Sequence, residues 1–298
     1  MIKPDWIAVD WGTTNLRVWA MDTHGAVLEK RVSDAGMGGL DRDDFEPALL
    51  ALVSDWLSDG PTPVICCGMV GSRLGWIEAP YRTTPCIPVV NGDVVQVKCN
   101  DKRLSVFVVP GVKQENPADV MRGEETQLAG YLADHSKFSG TICLPGTHTK
   151  WVQIDNGMIQ HFKTYMTGEL FALLSKKSVL KHFIQGDAWD NDAFLGALGQ
   201  TLSAPAEFAG NLFRLRAESL ISELDSAAAR ARLSGLLIGL ELAASTAFWQ
   251  NQQVVILGEK TLAKTYRLAL NSQKCSAENF AVDPLTIKGL QVAFNRSH

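Results

Sequence analysis

Short apolar runs separated by polar bends open the chain. DWIAVDW at 5–11 is nearly unbroken, LRVWAM at 16–21 follows a Gly12-Thr13-Thr14 bend, and residues 26–32 follow Asp22-Thr23-His24-Gly25. Runs of this length bounded by Gly, Asp and Thr predict strands joined by tight turns, here a three-stranded meander. The pattern returns at TICL (141–144), KWVQI (150–154) and MIQHFK (158–163). Its first bend is Pro145-Gly146-Thr147-His148-Thr149, and its second carries the Asn156-Gly157 hairpin signal. Two similar units this far apart predict an internally duplicated, two-lobed protein rather than a short-period solenoid.

Helical spacing fills much of the remainder. Residues 44–58 place Phe45, Leu49, Leu52, Val53 and Trp56 on one face, and 119–134 follow Asn116-Pro117, a helix-start context. From Leu233, apolar residues recur at 236, 237, 240, 244 and 248, a buried helical stripe. VVIL at 254–257 then predicts a buried strand, Gly258 a turn and 261–271 a helix. Strands alternating with helices after each meander predict an α/β protein.

Composition narrows the class. A length of 298 residues suits about two domains. With 46% hydrophobic and 20% charged residues the chain is globular rather than disordered. A net charge of −4 argues against a nucleic-acid binder that relies on bulk positive charge. The apolar stretch of MIKPDWIAVD is too short for a signal peptide, and Glu241 breaks the longest apolar run, so no membrane span is expected. Six cysteines without a Cys-x-x-Cys pair fit reduced thiols in a cytoplasmic protein.

The candidate chemistry sits at the bends. In Asp10-Trp11-Gly12-Thr13-Thr14 a strand ends on a carboxylate and turns through glycine and two hydroxyls. Such a turn admits a phosphate close to its backbone, and the aspartate can hold magnesium. Pro145-Gly146-Thr147-His148-Thr149-Lys150 repeats the turn without the aspartate, and two such turns can clamp a polyphosphate. In Arg122-Gly123-Glu124-Glu125 a carboxylate after glycine at a helix start can take a proton from a substrate hydroxyl; it can also merely favour the helix dipole. No G-x-x-x-x-G-K-[ST] loop or G-x-S-x-G elbow occurs.

The order Asp10-x-Gly12-Thr13-Thr14, Gly123-Glu124, strand-Gly146-Thr147 and strand-Gly258 resembles the superfamily of sugar kinases, heat-shock ATPases and actin. VDWGTTNLR, CGMVGSRLGW, DVMRGEETQ, LPGTHTKWV and YMTGELFALL, spanning 9 to 174, are more closely similar to the 2-dehydro-3-deoxygalactonokinase family. The resemblance implies a duplicated actin-like ATPase (ribonuclease H-like) α/β fold of two lobes about a central cleft. It implies a kinase that uses ATP and Mg2+ to phosphorylate a 2-keto-3-deoxy sugar acid to its 6-phosphate, in galactonate breakdown.

Under that resemblance Asp10 would organise magnesium. Gly12, Thr13 and Thr14 would form one phosphate loop, Gly146, Thr147 and Thr149 the other, and Gly258 would lie at the adenosine corner. The base would be Glu124 or its neighbour Glu125, where glycerol-kinase-type enzymes carry aspartate. For the sugar acid, an arginine fork suits the carboxylate. Arg73, which follows Ser72 after the strand at 63–67, is the first choice, with Arg122 and Arg17 behind it and Trp76 against the sugar face. The lobes are expected at 1–118 and 119–298. Expected partners are the sugar acid and ATP, with neither nucleic acid nor membrane, and a homodimer fits the sequence. A nucleotide or sugar-acid sensor, an ATPase, or a kinase of another sugar acid remain alternatives.

Overall fold

The computed structural model describes residues 2–90, 93–222 and 224–297. They divide into two units: Met1–Phe138 with Asp155–His161 and Val282–His298, and Ser139–Ile154 with Phe162–Ala281.

The first unit begins with the expected meander, β1 (Trp6–Trp11), β2 (Leu16–Met21) and β3 (Val27–Ser33). Helix α1 (Phe45–Val53) and strands β4 (Thr62–Gly68), β5 (Arg82–Thr83), β6 (Val95–Gln96) and β7 (Leu104–Val108) follow. Next come the hairpin β8 (Val112–Glu115) and β9 (Ala118–Met121), then α2 (Glu124–Asp134). The main sheet runs β3-β2-β1-β4-β7-β6, with β1, β4 and β7 parallel.

All six residues of β1 are buried, which requires cover on both faces of the sheet. Strand periodicity divides them. Ile7, Val9 and Trp11 join Phe45, Leu49 and Val53 of α1 in one core. Trp6 and Ala8 join Ala129 of α2 with Leu290 and Ala293 of the C-terminal helix in another. Asp10 continues the second series, so the period-two pleat carries its carboxylate to the face where α2 and the C-terminal helix lie.

The plan is repeated with β10 (Gly140–Leu144), β11 (Thr149–Asp155) and β12 (Met158–Tyr165), which lie in the second unit except for Asp155–His161. Five helices follow: α3 (Thr167–Lys177), α4 (Asn191–Ser203), α5 (Phe208–Ile221), α6 (Ser226–Ala244) and the short α7 (Thr246–Trp249). Strand β13 (Val254–Leu257), helix α8 (Lys260–Ser272) and strand β14 (Ala277–Phe280) complete it. Its sheet runs β12-β11-β10-β13-β14 with β10, β13 and β14 parallel, the same meander-then-parallel order as in the first unit. Helix α9 (Val282–Ser297) then returns to the first unit.

Two expectations change. The helix read over 119–134 starts only at Glu124, because Ala118–Met121 pairs antiparallel with Val112–Glu115 and Asn116-Pro117 lies in their hairpin turn. The units also do not part at 118/119. Helix α2 packs with α9 in the first unit, where Gly130 lies against the Leu285 backbone and Gly289 against Thr126, contacts too close for any Cβ. Among the described residues no helix is long and apolar enough to cross a membrane.

Candidate active site

In the first unit, Asp10 stands opposite Arg17 in the β1–β2 register and opposite Cys67 in the β1–β4 register. It is 8% exposed. Arg17 reaches it at 3.3 Å and also bridges to Asp283 of α9 at 3.2 Å. Burial raises the Asp10 carboxyl above its ordinary range; Arg17 opposes this, while Asp283 and Glu124 add to it. Arg17, expected behind Arg73 for the substrate acid, thus bridges two carboxylates of the first unit.

The first Gly-Thr turn closes through the Gly12 N–H, which donates to the Asn15 carbonyl at 3.0 Å. Exposed Thr13 and Thr14 form its tip. A 3-10 turn, Met37–Gly39, braces it from behind. The Met37 and Gly38 N–H groups donate to the Gly12 and Thr13 carbonyls, and a Cβ on Gly36 would lie 2.2 Å from the Thr14 backbone. The role of the Gly36-Met37-Gly38-Gly39 segment is to fix this turn.

Beside Asp10 two glycines meet with left-handed backbones, Gly68 at φ 91° and Gly123 at φ 105°. A Cβ on Gly123 would stand 3.3 Å from the Gly68 Cα, and one on Gly68 only 2.7 Å from the Trp11 carbonyl oxygen. This close approach sets the start of α2 against the ends of β1 and β4. Glu124 accepts the Arg122 N–H at 3.0 Å and is partly exposed. Glu125 is fully buried; it accepts the Gly123 N–H at 2.7 Å and the Thr126 hydroxyl at 2.9 Å. Burial, with the Glu124 charge beside it, pushes the Glu125 carboxyl up to about 7.

The arginines rank differently from the sequence expectation. Arg73 is exposed, on the solvent side of a surface turn. Arg122 is 9% exposed. Its guanidinium lies over the Tyr81 ring at 4.2 Å and its Nη2 donates to the Ala79 carbonyl at 2.8 Å. Its Nε and Nη1 are buried with no hydrogen-bond partner, as is the Ser72 Oγ. A Cβ on Gly71 would come within 2.8 Å of Arg122 Nη1, so glycine there admits the fork. Trp76 is taken up by the core, 6.0 Å edge-on to Trp11 and 6.2 Å from Phe45. Its bulk fills the layer between β1 and α1, which corrects its expected place on the sugar.

In the second unit, the turn after β10 carries exposed Thr147 and His148 at its tip. Helix α3 braces it as the 3-10 turn braces the first. The Glu169 N–H donates to the Thr147 carbonyl at 2.9 Å, and a Cβ on Gly168 would lie 2.3 Å from the Gly146 oxygen. His148 pairs with Glu169 at 2.6 Å. Thr149, expected to offer its hydroxyl to phosphate, is fully buried with Oγ1 2.9 Å from the Tyr266 hydroxyl. As the first residue of β11 it turns into the sheet's core face. Gly258 is buried, where a Cβ would meet Pro145 at 3.1 Å, and packs the β13–α8 corner onto the turn.

Beneath this turn lies a buried carboxylate. Glu241 of α6 accepts Trp151 Nε1 at 2.7 Å on one oxygen, and the Tyr266 hydroxyl at 2.9 Å and the Thr167 hydroxyl on the other. Burial pushes it up to about 7 against the pull of these bonds. Next to it opens a cavity of about 740 Å³ whose lining includes Gly146, Thr167, Trp189, Arg230, Glu259 and Lys264. Arg230 lies over the Phe171 ring at 5.1 Å. The volume lies in the range of small-ligand sites. The 2-keto-3-deoxy-galactonokinase family matches residues 10–293.

The chain belongs to that family.

The Escherichia coli (strain K12) 2-dehydro-3-deoxygalactonokinase is 36% identical over 290 residues, 96% of this chain and 96% of that one. A solved Sinorhizobium meliloti structure bearing the same enzyme name is also 36% identical, with a TM-score of 0.89 over 96% of this chain and 97% of its own. A carbohydrate kinase from Novosphingobium aromaticivorans, at 14% identity, matches the fold with a TM-score of 0.50 over 98% of this chain and 94% of its own. The fold is the α/β fold of actin-like ATPases and sugar kinases, and this 2-keto-3-deoxy-galactonokinase family member is a phosphotransferase. Tyr81, a sequence candidate for the sugar face, lies under Arg122 instead of standing alone; sequence reasoning missed the cavity residues Trp189 and Arg230, and Glu241. Their burial and neighbours are set by contacts distant in the chain, and none stands in a local motif.

Proposed function

We propose that the chain transfers the γ-phosphate of ATP to the terminal hydroxyl of 2-keto-3-deoxy-galactonate, giving the 6-phosphate, in the cytoplasm. The observation that carries the acid specificity is Arg122: a buried guanidinium whose Nε and Nη1 have no hydrogen-bond partner. Leaving such donors unmet costs roughly 1–3 kcal/mol each, more where charged. A substrate carboxylate would meet the Arg122 fork as a charge-assisted pair, and the Tyr81 ring would keep the fork's plane.

Two residues from Arg122, Glu124 would take the proton of the attacking hydroxyl. The new bond joins that oxygen to the γ-phosphorus, the bond to the β-phosphate oxygen breaks, and ADP leaves. Burial of Glu125 leaves Glu124 as the carboxylate of the pair that can reach a substrate. Thr13 and Thr14 in the first unit, and Gly146 and Thr147 in the second, would hydrogen-bond phosphate oxygens, and the cavity beside Gly146 would take the nucleoside.

Asp10 fits a magnesium ion, since it supplies a hard oxygen ligand at the mouth of the first turn. The described residues hold no cluster of three metal-ligating side chains. Magnesium bound through one carboxylate and nucleotide phosphates needs none. When bound, the ion would supply neutralisation of phosphate charge.

ADP release, measured with and without acceptor, tests the reading. Release should require 2-keto-3-deoxy-galactonate. Arg122→Ala should raise the KM for it roughly 10- to 100-fold, the scale of losing a charged hydrogen-bond partner. The analogue in which a neutral alcohol replaces the carboxylate should react poorly with the wild type and be little affected by the substitution. Acceptor-independent release would make the protein an ATPase, and nucleotide binding without release would make it a sensor.

A further inference from the structure

Among the described residues the buried carboxylate of Glu241 is met by neutral donors, Trp151, Thr167 and Tyr266, and it lies outside the machinery described so far. Its connections differ from those of an ordinary core filler. Four donor side chains converge on it directly or through one intermediary, from three different elements. Trp151 and Thr149 belong to β11, which leaves the second Gly-Thr turn. Thr167 opens α3, whose next two residues brace that turn. Tyr266 belongs to α8, which begins just past Gly258, itself packed on Pro145 of the turn. Thr167, Tyr266 and Gly146 all line the cavity.

Proton counting orders the chain. Tyrosine has one hydroxyl proton, and the bond from Tyr266 to ionised Glu241 uses it. Thr149 must then donate to the Tyr266 oxygen. One carboxylate thereby ties β11, α3 and α8 together through Trp151, Thr167 and Tyr266, with Thr149 joined to it through Tyr266. A carboxylate buried without a cation opposes folding, so the group is a costly way to fill space. What it supplies is fixed geometry around one turn.

We propose that Glu241 is a positioning residue for the nucleotide: it locks the three walls of the Gly146–Thr147 turn, and the adjoining cavity wall, in the register that binds the phosphates and nucleoside of ATP. This rests on the reading that the turn and cavity take the nucleotide. Glu241 is too deep to touch ATP itself, being 2% exposed. Its effect should fall on nucleotide affinity rather than on the acid acceptor, whose assigned residues lie in the first unit.

The test uses the full-length chain with Glu241→Gln and Tyr266→Phe. ADP binding is measured by calorimetry, the KM values for ATP and for sugar acid are measured separately, and folding is checked by circular dichroism and thermal unfolding. Glu241→Gln should weaken ADP roughly 10-fold and raise the ATP KM by a similar factor, while the sugar-acid KM stays within twofold. Tyr266→Phe should act in the same direction and to a smaller extent. A folded Glu241→Gln protein that binds ADP within twofold of wild type, or that raises both KM values equally, overturns the proposal. If Glu241→Gln does not fold, Tyr266→Phe decides by the same two criteria. Failure of the wild-type protein to bind ADP overturns instead the nucleotide reading on which the proposal stands.

Discussion

Glu124 and Glu125 are neighbours with opposite fates, and the difference is one of exposure. Glu124 is partly exposed at the first turn of α2, whereas Glu125 points into the first unit and is sealed there. Glu124→Gln should lower kcat roughly 10²-fold or more, with the KM for ATP little changed, because a general base contributes on that scale. Glu125→Gln should act on stability instead. The folded Glu125 carboxyl titrates at about 7, well above its unfolded value of 4.5. Between those values the unfolded chain sheds the proton and the folded chain keeps it, so this residue's stabilising contribution is full below about pH 4.5 and is lost as pH rises through 7. Urea midpoints measured at pH 5 and pH 8, without nucleotide or metal, should differ less for Glu125→Gln than for wild type. An equal difference in the two proteins would remove Glu125 from this role. The sequence showed both carboxylates but not which was buried, since Glu125 is enclosed by the corner that Gly68 and Gly123 build. The same blindness ranked Arg73 above Arg122: a position after a strand is visible in sequence, while the pocket made by Gly71, Ala79 and Tyr81 is not.

Two turns and their braces form the next scale. Each Gly-Thr turn is held by a glycine from a separate segment, Gly36 for the first and Gly168 for the second. Replacing a helical glycine by alanine normally stabilises by roughly 0.5–1 kcal/mol. Gly196 of α4, with nothing within 4 Å of its missing Cβ, should behave that way. Gly168→Ala should do the reverse, because its methyl would land 2.3 Å from the Gly146 carbonyl oxygen and push the turn. The expected result is a raised Tm for Gly196→Ala with unchanged kinetics, against a lowered Tm and a several-fold higher ATP KM for Gly168→Ala. The meanders that carry these turns were legible because buried strands leave apolar runs and turns leave Gly, Asp and Asn; β2 and β13 stand where those runs predicted. The hairpin of β8 and β9 was not legible. Its strands have four residues each and alternate weakly, and Asn116-Pro117 reads equally well as a turn or as a helix start. The braces were invisible for a similar reason, since a glycine's partner across space leaves no mark beside it in the chain.

The whole molecule is two copies of one strand plan, but its chain does not visit them one after the other. Helix α9, the last element, completes the first unit: Phe294 stacks on Trp6 of β1 at 4.6 Å, Leu290 and Ala293 enter the core beneath Trp6 and Ala8, and Asp283 pairs with Arg17 and Lys30. A chain ending at residue 281 should therefore lose soluble expression or show exposed apolar surface by dye binding. A folded, active truncated enzyme would show that α9 is dispensable. The duplication was readable from the two meanders. The return of α9 was not, because its apolar positions say that it is buried without saying against what.

That return has a consequence for the protein's birth. A ribosome finishes the last first-unit residue before the middle unit, Phe138, roughly 140 residues ahead of α9, which at about 5–20 residues per second is on the order of ten to thirty seconds. Throughout that interval the half of the molecule begun first has only α2 over one side of its central strand, and the half begun second is finished, at Ala281, just before α9 emerges to complete the first.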